Sequence, residues 1–284
     1  MNNLHKTPEK LTKEAQSLAR LSGQSNYINA LDFVSLREDC LSAKPFVHIA
    51  IDGMWNEDFL DSVRKEVSEF DDWAGEKQFY GSKQKRWQAD WDRLPPATHR
   101  FLSYLNQPLV LRITEFLTGE SGLISDPYLK GGGIHSTGDE GFLKLHADFN
   151  WHEKLQLYRR INILVYLNKN WKKEYGGQIE LAGKNDLGEF TSSVSLEPIF
   201  NRTLIFVTDN HSYHGQPNPV RHPHQERRNS IAAYYYTAKP PNEDSKGKRR
   251  TTYYIDEQGK KLKKSRLPKK SRFRKIKNKL LGLK

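Results

Sequence analysis

Cysteine is nearly absent: Cys40 is the only one in 284 residues. A single thiol excludes an internal disulfide framework and any zinc site built from several cysteines, and it fits a reducing, cytoplasmic setting. Long apolar runs are missing too. None approaches the roughly 20 residues of a membrane-spanning helix, and the mean hydropathy is −0.81. The leading stretch MNNLHKTPEKL has neither an apolar segment nor a small-residue cleavage site, so no secretory signal is expected. There is no internal repeat. The aromatic fraction of 11% argues against disorder over most of the length.

Charge of one sign is also missing from most of the chain. The formal net charge is +12, yet residues 1–238 carry 28 Lys or Arg against 30 Asp or Glu. Residues 239–284 carry 18 against 4, a local balance of +14. The body is close to neutral and the basicity is a tail.

Helical patterning dominates the first half. Thr7-Pro8-Glu9 reads as a helix start, with Leu11, Ala15, Leu18 and Leu21 at helical spacing behind it. Residues 44–51 (KPFVHIAI) read as a buried strand. Asn56 then caps a helix with Phe59, Leu60, Val63, Val67 and Phe70 on one face. Residues 71–98 read as a long irregular segment. A third helix is opened by Asn106 and Pro108 and closed by Gly119. The run Gly131–Gly133 marks a bulge or a tight backbone approach. From Ile134 the pattern changes to short runs of strand formers: 142–149, 161–167, 178–181, 203–208 and 230–237. Strands following helices predict an α+β fold, with the sheet closed as a double-stranded β-helix (jelly roll) and the N-terminal helices packed outside it. The expected organisation is a helical extension over residues 1–43, a central domain over 44–238 and a basic C-terminal extension over 239–284.

His146 and Asp148 are two apart in FLKLHADF, so on a strand both project from one face and can reach one ion. His214 follows the apolar run TLIFVT and can supply a third ligand. Two imidazoles and one carboxylate on one face of an octahedral Fe(II) leave adjacent positions open, which suits oxygen chemistry. An HxD pair is a weak signal alone, because ten histidines are scattered through the chain. Arg228 strengthens it: on the next strand it can grip a carboxylate through two parallel hydrogen bonds, with the Ser230 hydroxyl on the same face. Strand alternation places only one of Arg227 and Arg228 inward, and the register favours Arg228. His211 is a less well placed rival to His214, His222 and His224 are expected to face solvent, and His152 could touch a substrate.

These residues resemble a known family. HAD, YLNKNW, GGQIEL, PIFNRTLIFVTDN, YHG and RNSIAAYYYT are similar in sequence and gap length to the prolyl 4-hydroxylase-type 2-oxoglutarate/Fe(II) dioxygenases. Upstream, KPFVHIAIDGMW and LTGESGLISDPYLKGGGIH extend the resemblance over residues 44–238. It implies that His146, Asp148 and His214 hold Fe(II), and that Arg228, Ser230 and Tyr166 bind the distal carboxylate of 2-oxoglutarate. His135 falls near the position where hypoxia-type relatives carry a co-substrate tyrosine, with one extra residue before the HxD strand. Asp148 itself fits a hydroxylase, since related halogenases have a small residue there.

The resemblance further implies a hydroxylase that uses 2-oxoglutarate and dioxygen on an unactivated C–H bond of a prolyl residue or amino-acid-like substrate, with ascorbate as an accessory reductant. The competing reading is a non-catalytic jelly-roll module whose basic tail binds nucleic acid or an anionic membrane. Ile276, Leu280 and Leu281, interleaved with Lys and Arg, allow a short basic amphipathic helix. A solvated terminus is the simpler expectation for that run. Residues 80–91 (YGSKQKRWQADW) are read either as a lid over the pocket or as a packed surface loop.

Overall fold

The computed structural model describes residues 7–184, 189–240, 246–256 and 258–262. Five helices pack on one face of a curled, almost wholly antiparallel sheet, an α+β arrangement of the expected jelly-roll type. The helices are α1 (Pro8–Gly23), α2 (Phe33–Ser42), α3 (Glu57–Glu69), α4 (Pro96–Leu105) and α5 (Pro108–Thr118). Asp32 Oδ1 accepts from Val34 N and Ser35 N, and Asn56 Oδ1 accepts from Phe59 N, which satisfies amide donors that α2 and α3 would otherwise leave free. The Glu66 carboxylate on α3 accepts from the first amides of α4, Ala97 N at 2.7 Å and Thr98 N at 2.8 Å. It caps a neighbouring helix at its positive end. Gly119 closes α5 in the left-handed conformation, φ +74°.

The strands are β1 (His48–Asp52), β2 (Gly75–Phe79), β3 (Ser82–Gln88), β4 (Ile124–Ser125), β5 (Gly133–Ala147), β6 (Trp151–His152), β7 (Leu157–Tyr166), β8 (Ile179–Lys184), β9 (Phe190–Leu196), β10 (Arg202–Val207), β11 (Tyr213–Gln216), β12 (Arg228–Thr237) and β13 (Tyr253–Tyr254). The main path runs β1-β10-β7-β12-β5-β11-β8-β9. Strand alternation divides the chemistry of the sheet. Ile161, Ile163 and Val165 of β7, Ile205 and Val207 of β10, and Ile231, Ala233 and Tyr235 of β12 form one buried cluster with Leu18, Phe33, Leu60, Val63, Phe101, Ile113 and Leu117 of the helices. The intervening residues Asn162, Leu164, Arg228, Ser230 and Tyr234 line a cavity on the opposite face. One sheet thus has a dry face under helices and a polar concave face.

Two departures from the sequence expectation bear on the site. Within residues 71–98, β2 and β3 form a hairpin, and β3 pairs with β5 along its length. Its residues are polar because one face looks into a wet cavity, so no apolar alternation announces the strand. Gly133 permits the close approach: at φ +86°, a Cβ there would lie 2.1 Å from Gln88 O. The segment 80–91 is therefore a wall strand and turn, not a lid or a surface loop. The second departure is C-terminal. Residues 246–262 were expected to be exposed, but β13 pairs with β5 at Ala147 and His146, and Ile255 is buried. Polar anchors and backbone bonds hold this strap, so its composition resembles a solvated tail. Residues 263–284, with the proposed amphipathic helix, lie outside the described residues.

Candidate active site

His146 and His214 are cross-strand partners on β5 and β11, with ring centroids 4.4 Å apart. His146 Nδ1–H donates to Lys144 O at 2.9 Å, and His214 Nδ1–H faces Ser212 O at 3.4 Å. Those contacts fix the tautomers and leave each Nε2 lone pair for a metal. Asp148 lies just past the end of β5, its Oδ1 3.5 Å from His146 Nε2 and its Oδ2 3.2 Å from His214 Nε2. The three ligand atoms all fall within 4.8 Å of one another, and among the described residues no other group of His, Cys, Asp or Glu meets this condition.

The electrostatics favour metal-ready protonation states. Burial and the neighbouring His214 push the His146 imidazole down to about 4, so it is neutral at physiological pH. Burial alone would raise the Asp148 carboxyl, but Arg159 and His214 hold it well below the usual carboxylate range. Arg159 Nη2 is 2.8 Å from Asp148 Oδ2, Asn162 Nδ2 donates to the same oxygen at 2.9 Å, and Arg159 Nε donates to Asn162 Oδ1 at 2.9 Å. The Arg159 guanidinium is sandwiched by the rings of Tyr234 and Phe149, at 3.4 and 4.6 Å from their centroids.

A second group of polar residues lies deeper in the same cavity of about 200 Å³. Arg228 pairs in register with Thr137, and Ser230 pairs with His135 on one side and Tyr166 on the other. The Arg228 guanidinium lies over the Tyr166 ring at 4.9 Å, and its Nε donates to Gly177 O at 2.7 Å. The Tyr166 hydroxyl is fully buried with no hydrogen-bond partner. An orphan donor beside a buried guanidinium fits an incoming carboxylate, which would satisfy both. Burial and the nearby lysines Lys85 and Lys77 push His135 well below its ordinary value, so it is neutral.

All the residues singled out from the sequence therefore converge. His135, His146, Asp148, His214, Arg228 and Ser230 line one cavity, and Tyr166 sits directly behind Arg228. Arg227 points to the opposite face, where its Nε donates to Ser136 Oγ. His211 is exposed. His222, expected in solvent, is buried against Trp171 and Tyr175, because the loop that carries it folds onto those rings. His152 is enclosed beside Asp126 and Tyr236, away from the cavity lining.

Several site residues escaped the sequence reading. Counting back from Tyr166 by twos places Arg160 inward. A bulge opposite Tyr235 and Tyr236 shifts the phase, so Arg159 turns in and Arg160 turns out to pair with Glu120. Lys77 and Lys85 lay in the segment read as irregular. Tyr254, Thr252 and Arg250 lay in the tail. The Arg250 guanidinium donates to Asp148 O at 3.0 Å and Asp209 O at 2.8 Å, Thr252 Oγ1 accepts from Phe149 N at 3.1 Å, and the Tyr254 ring lies 5.4 Å from His146. The strap braces the strand that presents the first two candidate ligands.

Residues 132–236 match the model of the 2OG-Fe(II) oxygenase superfamily. They form a 2OG-Fe(II) oxygenase domain. Among solved structures, the chain is similar to a prolyl-4-hydroxylase of Pseudomonas putida, with 15% identity and a TM-score of 0.52 over 72% of this chain and 98% of that one. It is also similar to a prolyl hydroxylase of Trichoplax adhaerens, solved with a fragment of the hypoxia inducible factor oxygen degradation domain, at 19% identity and a TM-score of 0.48 over 82% and 94% of the two chains. At these identities the likeness concerns the fold. The oxygenase domain carries its candidate His-Asp-His iron site on β5 and β11, and Fe(II) and 2-oxoglutarate follow from the family and the triad.

Proposed function

We propose that the protein is an active hydroxylase of the 2-oxoglutarate/Fe(II) class, acting on an unactivated C–H bond of a prolyl residue or amino-acid-like substrate. In this reading His146, Asp148 and His214 hold the iron. Arg228, Tyr166 and Ser230 anchor the distal carboxylate of 2-oxoglutarate, and the neutral His135 offers a hydrogen bond beside it. When bound, iron and 2-oxoglutarate would together supply the electrons that reduce and so activate dioxygen. The protein's own part is placement and exclusion. Arg159 and Asn162 orient the Asp148 carboxylate, Lys144 O and Ser212 O set the imidazole tautomers, and Phe149, Leu164, Tyr234 and Tyr254 wall the cavity.

The observation that carries the reading is the meeting of three ligand atoms within 4.8 Å in the cavity that holds Arg228, next to an unpartnered Tyr166 hydroxyl. Anaerobic addition of Fe(II) and 2-oxoglutarate to the full chain is expected to give the visible charge-transfer band of the chelate. Admission of air should then yield succinate, with and without ascorbate. His146→Ala and Asp148→Ala should lose both signals. A wild-type protein that shows no band, or either variant with full succinate formation, ends the proposal.

A further inference from the structure

Lys77 and Lys85 face each other across the β2–β3 hairpin, and both line the cavity of the candidate iron site. The register continues from Lys85 to Thr137 on β5 and from Thr137 to Arg228 on β12. Cations from three strands therefore stand along one wall. The cavity lining holds four permanent or potential cations, Lys77, Lys85, Arg159 and Arg228, and a single carboxylate, Asp148.

Two of the four have an assigned counter-charge. Arg159 pairs with Asp148, and Arg228 with the distal carboxylate in the reading above. A bound ferrous ion adds two positive charges and 2-oxoglutarate removes two, so loading the site leaves the lysines unbalanced. Neither side-chain amine makes a hydrogen bond or ion pair with any described residue; that of Lys77 only lies over the Trp87 ring at 5.6 Å. Burial, then the neighbouring Lys77 and Arg228, push the Lys85 amine down to about 7. An ammonium held beside like charges in an enclosed wall destabilises the protein until a ligand supplies the opposite charge.

We propose that Lys77 and Lys85 form an anion subsite for the substrate that is hydroxylated, which carries an oxyanion group, carboxylate or phosphate, close to the bond that reacts. The proposal rests on the oxygenase reading and narrows it. A neutral prolyl peptide would leave Lys85 without a partner and Lys77 with solvent alone. An acidic amino acid, a peptide with an acidic residue at the target, or a phosphorylated small molecule would satisfy them.

The test uses the full chain with Co(II) in place of iron and 2-oxoglutarate at saturation. Inorganic phosphate and acetate are added in separate arms, and binding is read from paramagnetic relaxation of ³¹P and ¹³C. At least one anion should bind close to the metal, and the better of the two assigns phosphate or carboxylate. Lys85→Met and Lys77→Met should each weaken it by about tenfold, and Lys85→Arg should restore it. Lys77→Met alters an exposed edge position, so it reports even if Lys85→Met folds poorly. No relaxation of either anion, or equal relaxation in the variants, overturns the subsite while the Fe(II)·2-oxoglutarate band leaves the oxygenase reading standing. Collapse of 2-oxoglutarate affinity in the lysine variants assigns them to the co-substrate and also overturns it. Absence of the band in the wild type removes both readings together.

Discussion

Arg159 Nη2 lies 2.8 Å from Asp148 Oδ2, and both side chains are almost wholly removed from solvent. The carboxylate thus has a cationic partner before any metal arrives, and the guanidinium is held flat between two aromatic rings. This pair makes the apo site self-consistent: a lone buried carboxylate would either unfold its surroundings or take up a proton.

Replacing Arg159 by Met should expose that dependence. Leaving Asp148 uncompensated costs about 3–5 kcal/mol, and each kcal/mol lowers the melting temperature of a chain of this size by roughly 2–4 °C. Mn(II) should recover much of the loss, because the ion replaces the missing charge. Thermal denaturation with and without Mn(II) checks this, and an unchanged apo melting temperature would show that the pair contributes little.

Arg228 and Tyr166 should separate in magnitude. Arg228→Ala removes the charge and is expected to raise the 2-oxoglutarate requirement by about a hundredfold or more, consistent with about 3–5 kcal/mol for breaking a buried pair. Tyr166→Phe removes one hydrogen bond to a charged group, worth about 1.5 kcal/mol, and should raise it roughly tenfold. Bound metal, measured by elemental analysis, should be unchanged in both. Loss of metal would place these residues in the iron site.

Much of this site was legible because its chemistry is carried by alternation. Arg228 and Ser230 are two apart on β12, His146 and Asp148 are two apart at the end of β5, and a period of two holds wherever no bulge intervenes. The dry face was legible too, from Ile161, Ile163, Val165 and the helical stripes that cover it. Arg159 was hidden by one bulged residue that reversed the phase. Lys85 was hidden because a strand between solvent and a wet cavity has no apolar side. α4 was missed because its first amides are capped from another helix, by Glu66; α2 carried a local signal in Asp32, which caps amides two and three residues on, but it has no clear amphipathic stripe behind it.

The strap yields a truncation prediction. A chain ending at residue 262 should keep near-native stability and metal affinity. A chain ending at 240 loses the Arg250 contacts to Asp148 O and Asp209 O, and the Tyr254 ring beside His146. It is expected to bind Mn(II) at least tenfold more weakly, a difference of about 1.4 kcal/mol. Calorimetric titration of the two lengths decides it, and equal affinities would reduce the strap to a passive cover.

Lys85 gives a pH dependence of definite sign. Its amine is near 7 in the folded protein, against an ordinary value of 10.5. The folded state therefore binds fewer protons than the unfolded state between pH 7 and about 10.5. The penalty is fully present below pH 7 and is relieved as pH rises through that window. Lys85→Met should raise the apo melting temperature by several degrees at pH 6, with the gain shrinking by pH 9. Of the surrounding charges on the other elements, Arg159, Arg228 and Asp148 keep theirs over this range, while the Lys77 amine, also lowered by burial, is relieved in the same direction as the pH rises. A gain that is flat in pH would point to packing, not charge, as its source.

The strand that presents His146 is flanked by β3 on one side of the cavity and joined by β13 on the other, the first preceding it in sequence and the second lying far downstream. Closing contacts between such remote parts carries a large loop entropy, and long-range pairings of this kind form slowly. Among the pairings made by β5, that with β13 closes the longest stretch of chain, so on this ground it is expected to form last and to seal His146 behind Tyr254. An assembly order of this kind keeps the redox-competent pocket open to metal until the rest of the polypeptide is in place.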